Sequence, residues 1–166
     1  VCSSDLEKIT ALETDIDDHI DRHPELKQDA ELIESIPGIA RTTAAKVLAY
    51  LGDVRRSHSA KALAAYVGVC PRERVSGSSV RGRTMISRAG NASIRHALYM
   101  PGMVALRHNP TLKTFGERLL ASGHAPKAVI GAAMRKLVHL IYGIVRSGQP
   151  FRADFGSQKL DFQDGI

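Results

Sequence analysis

At 166 residues with 43% hydrophobic side chains, the chain has material for one cored domain, or for a small domain with an extension. No apolar run approaches the ~20 residues of a membrane span, and no secretory segment is recognisable, which argues against a transmembrane or exported class. The formal net charge of +6 conceals two opposite halves: Val1 to Glu34 carries eleven acids against three bases, and Ser35 to Ile166 twenty bases against six acids. An acidic arm on a basic body implies nucleic acid as partner rather than a membrane, since no segment sets lysines on one face against an aromatic-rich other face. Cys2 and Cys70 are too far apart for a metal pattern and read as reduced thiols of a cytoplasmic protein. The first residue is Val rather than Met, as expected of a fragment or a processed form.

In the arm, Leu6, Ile9, Leu12, Ile16 and Ile20 recur at helical spacing among acids until Pro24 stops the helix. Two arrangements satisfy so narrow a seam: packing on the chain's own domain, or half of a coiled coil with another chain. His19 and His23 share a face but lack a third ligand, and read as solvated. Residues Leu32 to Val54 follow, with a short helix ending near Ile36, a tight turn at Pro37-Gly38, and a helix from about Arg41 to Leu51 stopped by Gly52. This resembles a helix-hairpin-helix, whose helix N-terminus offers backbone N–H groups to phosphate. Gly38 makes the turn, and Arg41, Thr42 and Thr43 add donors; Ala40 stands where that motif usually has a second glycine.

Ser59 is placed to cap a helix through Val67, with Ala62, Leu63, Tyr66 and Val67 inward and Gly68 as its stop. Asn91 caps the next, which carries Ile94, Leu98, Met103, Val104 and Leu106 inward with a kink at Pro101-Gly102. After Asn109-Pro110, an amphipathic helix shows Leu112, Phe115, Leu119 and Leu120 and ends at Gly123. From Pro126, a stripe from Val129 to Val145 marks the central core helix. The tail beyond Gly148 loses periodicity. The expected fold class is all-α: a helical bundle with an inserted basic loop, preceded by the acidic helix.

That loop, Cys70 to Arg95, holds Arg72, Arg74, Arg81, Arg83, Arg88 and Arg95 against one acid, Glu73, with Ser76, Ser78 and Ser79 close by and glycines at 77, 82 and 90. Residues 71–84 show no apolar period, so a loop or short irregular strands are expected. Arginines packed this densely repel one another unless a polyanion lies against them, and guanidinium forks bind phosphate oxygens in pairs. No G-x-x-x-x-G-K loop, H-E-x-x-H helix, G-x-S-x-G elbow or dinucleotide fingerprint occurs. The acids of the body (Asp53, Glu73, Glu117, Asp154, Asp161, Asp164) are too scattered for a two-metal site. A serine nucleophile remains: attack of its oxygen on a DNA phosphodiester would store the bond energy for religation, and neighbouring arginines would neutralise the charge at phosphorus. Ser76-Gly77, between Arg72/Arg74 and Arg81/Arg83, meets that requirement. On composition alone, the plainer role of a flexible phosphate contact is the better reading.

Three stretches carry a resemblance: ESIPGIARTTAAKVLAYLGD, AAYVGVCPRERVSGSSVRGRTMISRAGNASIRHALYM and VIGAAMRKLVHLIYGIVRSGQPF. In order and spacing, from about Leu32 to Phe151, they resemble the C-terminal transposase domain of the DEDD insertion-sequence transposases, the RNA-guided bridge recombinases. The P-x-x-x-x-S-G element at Pro71 to Gly77 and the G-x-x-x-x-S-R-x-G element at Gly82 to Gly90 are its specific marks. The resemblance implies that Ser76 is the catalytic serine of a DNA transposase, and that Gly38, Arg41, Thr42, Thr43, Arg72, Arg74, Gly77, Ser78, Arg81, Arg83, Arg88 and Arg95 serve DNA or RNA binding.

It also implies DNA and a guide RNA as partners, a homo-oligomer formed through the coiled-coil helix, and a prokaryotic, nucleoid-associated setting. The family's other half is a RuvC-like domain whose four acids bind Mg2+, and nothing in these 166 residues matches it. No cofactor or metal site is therefore expected here, and the chain alone is expected to bind nucleic acid without recombining it. The implied layout is the end of a coiled coil over 1–27, the transposase domain over 28–151 with its hairpin at about 32–54 and its serine loop at about 70–90, and a partly disordered tail over 152–166. A non-catalytic helix-hairpin-helix binder and a helical assembly module are the rival readings.

Overall fold

Prolines and short polar caps cut the chain into its helices. Pro24, Pro110 and Pro126 each occupy a first helical turn, where a missing N–H costs nothing. Ser59 accepts from Ala62 N, Asn91 from Ser93 N and Ile94 N, and Asn109 from Thr111 N and Leu112 N, so side-chain oxygens satisfy donors at three helix starts. The computed structural model describes residues 3–72, 75–76, 80–81, 85–87 and 89–153; at 3, 75, 76, 80 and 81 it describes the backbone alone.

The elements are α1 (Ser3–Arg22), α2 (Pro24–Glu34), α3 (Arg41–Leu51), a 3-10 turn (Val54–Arg56), α4 (Ala60–Val67), β1 (Pro71–Arg72), β2 (Val75–Ser76), β3 (Val80–Arg81), β4 (Met85–Ile86), α5 (Ala92–Ala97), α6 (Tyr99–His108), α7 (Pro110–Ala121) and α8 (Pro126–Ser147). The all-α class holds: the strands are two residues each, and they pair as two antiparallel ladders, β1 with β4 and β2 with β3. Of the two forms expected for the basic insertion, a loop or short irregular strands, the described residues show short strands paired as a β-hairpin.

α8 is the axis, packed by α4, α6, α7, α2 and the 3-10 turn. Leu137, Val138 and Ile141 are fully buried, each worth about 2 kcal/mol of removed apolar surface. Contrary to the expectation from sequence, this helix is long and apolar enough to cross a membrane, but 50% of the qualifying window is buried inside the bundle. It is a core helix that meets the length rule.

Other expectations shift. The break between α5 and α6 falls at Leu98, not at Pro101-Gly102. Pro101 stands in the first turn of α6, where its missing N–H interrupts no helical bond. Pro101, Gly102 and Ala105 face inward, while Val104 is 40% exposed; Leu120, expected inside, is 49% exposed. Along α1, Leu6, Ile9, Leu12 and Ile16 are exposed at 57%, 52%, 62% and 49%, and Ile20 joins the core at 5%. The arm is seated by its last turns and carries an uncovered apolar stripe before them. The tail from residue 154 onward lies outside the described residues.

Candidate nucleic-acid interface

The hairpin grows from a neck built on backbone contacts. α4 ends at Gly68, whose φ of 78° puts it in the left-handed region that lets the chain reverse without a Cβ penalty. Val69 is buried, and Cys70 O accepts from Ser87 N at 2.8 Å, joining the first and last residues of the hairpin. Pro71 then pairs with Ile86 and Arg72 with Met85; further out, Val75 pairs with Arg81 and Ser76 with Val80.

On the return, Asn91 N donates to Tyr66 O at 2.8 Å and Arg95 Nη1 to Val67 O at 3.1 Å. Gly90 lies against the α4 backbone so closely that a Cβ on it would stand 2.4 Å from Tyr66 O and 2.6 Å from Gly68 N. The foot of the hairpin rests on α8, where a Cβ on Gly131 would meet Ile86 Cδ1 at 2.4 Å. Three helices thus hold the neck, and the inner ladder follows it in the chain.

Ser76 occupies a defined register position in that inner ladder, opposite Val80, and Arg81 stands opposite Val75. Arg72 is exposed at the base. Arg74, Gly77, Ser78, Arg83 and Arg88 lie outside the described residues, and nothing is described of the side chains of Ser76 and Arg81. Arg95, grouped with these arginines from sequence, donates to Val67 O at the end of α4 and holds the neck.

The second predicted contact is the α2–α3 turn. Gly38 has φ 106°, and a Cβ there would stand 2.8–2.9 Å from Ala105 on α6, so only glycine fits between the turn and that helix. Ile39 N donates to Ile36 O at 3.0 Å and closes the turn. No side chain caps α3, whose N-cap is Ala40, so its first N–H groups are left to water or a ligand. Thr42 is exposed and Thr43 half-buried.

Arg41 is already engaged. Its guanidinium donates to Asp17 at 2.9 Å, Asp21 at 3.2 Å and Glu34 at 3.2 Å. The hydrogen bond to Asp17, ahead of those to Glu34 and Asp21, raises its pKa. The acidic arm therefore covers one of the predicted phosphate donors.

Two features were not found from sequence. Arg55 clamps Asp29 through two bonds of 2.7 Å, which raise the Arg55 pKa; their 26-residue separation left no local signal. His139 on α8 has its pKa lowered to about 4, first by burial and then by Arg135, Lys136 and Lys61. Among the described residues, no group of three or more His, Cys, Asp or Glu side chains could hold a metal ion.

Residues 30–117 match a family model described as the transposase IS116/IS110/IS902 family. Among curated proteins, the chain is similar to the pilin gene-inverting proteins of Moraxella lacunata and Moraxella bovis, each 36% identical over 146 residues, covering 87% of this chain and 45% of the relative. It is also similar to the transposase for insertion sequence element IS1111A of Coxiella burnetii, 35% identical over 81 residues, covering 49% of this chain and 22% of that protein. The chain spans less than half the length of these relatives.

Proposed function

The chain belongs to the transposase IS116/IS110/IS902 family, and from that premise we propose that it is the serine-bearing, DNA-contacting part of a transposase or recombinase. In this reading the Ser76 oxygen attacks a DNA phosphodiester. An O–P bond to serine forms, a P–O bond to deoxyribose breaks, the serine proton is lost to solvent or a base, and the departing sugar oxygen takes up a proton. The phosphoserine link conserves the energy for religation. Arg72, Arg74, Arg81 and Arg83 neutralise charge on phosphorus, while Gly77, Ser78 and Arg88 complete the contact.

The observation that carries the reading is the paired basic hairpin, with Ser76 in its inner ladder and its neck fixed on α4, α5 and α8. The described residues do not suit the Mg2+ that the resemblance implies, so no step is routed through it. The α2–α3 turn, with Gly38, Thr42 and Thr43, adds a backbone contact to nucleic acid. The exposed stripe from Leu6 to Ile16 joins copies of the chain, and a guide RNA selects the DNA in a prokaryotic cytoplasm.

The test uses full-length protein with its guide RNA and a suicide DNA substrate that traps a covalent intermediate. A protein–DNA adduct is expected in the parent and in Ser78→Ala, and none in Ser76→Ala. An adduct that persists in Ser76→Ala removes the nucleophile assignment and leaves a nucleic-acid-binding module.

A further inference from the structure

One stripe of α8 starts at the foot of the hairpin. Gly131 lies under Ile86, and Arg135, His139, Tyr142 and Arg146 follow at steps of three and four residues, on the same side of the helix. The stripe faces the start of α4 and the 3-10 turn: Tyr142 donates to Ser57 O at 3.3 Å, and Lys61 acts on His139 together with Arg135 and Lys136. Lys61 and Arg146 are exposed and Arg135 is half-buried. Among the described residues, none of these three forms an ion pair with a carboxylate. Arg146 instead lies over the Tyr142 ring at 5.6 Å.

We propose that Lys61, Arg135 and Arg146 form a cationic lane that binds the DNA backbone next to the phosphodiester presented to the hairpin. This deepens the transposase reading and rests on it. From Gly131 to Arg146 the helix rises about 22 Å, the length of roughly six base pairs of duplex at ~3.4 Å each. The lane is continuous with the hairpin foot, so DNA leaving Ser76 along α8 meets cations rather than the acidic arm. Its location was not evident from sequence because Lys61 and Arg135 are 74 positions apart and meet only across the α4–α8 packing.

The test measures binding of the whole chain to a 30-base-pair DNA duplex by fluorescence anisotropy over a salt series. Lys61→Ala/Arg135→Ala is expected to flatten the slope of log affinity against log salt by about two, near 0.9 for each lost phosphate contact. Arg107→Ala/Lys113→Ala, which removes equal charge from exposed positions on α6 and α7, is expected to change it by less than half as much. Equal losses from both pairs overturn the lane, as does an unchanged slope in the first. A loss on duplex RNA equal to or larger than that on DNA overturns the assignment to DNA. Unchanged circular dichroism and melting temperature show that the variants are folded. The nucleophile is read from the covalent adduct and the lane from the salt slope, so failure of the one and failure of the other are separable.

Discussion

Replacing Gly90 with alanine tests how the hairpin is anchored. The added methyl would stand 2.4 Å from Tyr66 O, 2.6 Å from Gly68 N and 2.9 Å from Ala65 O. All three are backbone atoms, so no rotamer change relieves them, and the segment leading into α5 must move by about 1 Å to regain ordinary contact. That shift strains the Asn91 N to Tyr66 O bond, worth about 1 kcal/mol, and overpacking itself costs about 1–3 kcal/mol. The expected loss is about 3 kcal/mol, a large part of a total near 5–15 kcal/mol. Urea unfolding supplies the measurement, with Gly143→Ala as control: nothing lies within 4 Å of a Cβ there, and removing a mid-helix glycine stabilises by up to about 1 kcal/mol. A Gly90→Ala protein within about 0.5 kcal/mol of the parent would refute the close-packed neck.

Two further predictions concern the body. Arg55→Met leaves Asp29, whose side chain is 9% exposed, as a buried carboxylate without its partner; with Arg55 itself 44% exposed, a loss of about 2–3 kcal/mol is expected, and Asp29→Leu/Arg55→Met should recover most of it in a double-mutant cycle. The folded His139 pKa, about 4, lies below its ordinary 6.5, so the unfolded chain binds the extra proton. The stability it contributes is present above pH 6.5 and lost as pH falls toward 4, by about 3 kcal/mol at most; His139→Gln should remove that component from the difference between parent and variant urea curves, and parallel curves would refute it.

The features legible in sequence were those that close within a few residues. Ser59, Asn91 and Asn109 cap helices through bonds to N–H groups two or three positions away, and Gly68 and Gly148 end helices through their own positive φ. The α8 stripe was legible because it runs for many turns. What failed depended on distant neighbours. Val104 and Ala105 exchange places because the tight approach of Gly38 to α6 selects the small side chain for the inside. Two-residue strands are too short to show a period of two, so the sequence left a loop and short irregular strands undivided. Arg95 resembled its neighbouring arginines, yet its partner Val67 O lies 28 positions back. No local pattern announces a guanidinium that bonds a carbonyl so far back in the chain.

The division of charge along the chain takes on meaning once partners are known. Arg41 holds Asp17, Asp21 and Glu34, Arg55 holds Asp29, and Lys27 holds Asp21. Asp17, Asp21, Asp29 and Glu34 of the first two helices are thus paired with cations, and a phosphate reaching Arg41 must displace three carboxylates. Lys61, Arg135 and Arg146 have no such counter-charge among the described residues, and they lie on the side of the hairpin foot. Because an ion pair cancels most of the field that attracts a polyanion, the arm leaves the α8 side as the more positive approach. Neutralising one end of a basic body orients a DNA backbone as effectively as adding cations to the other.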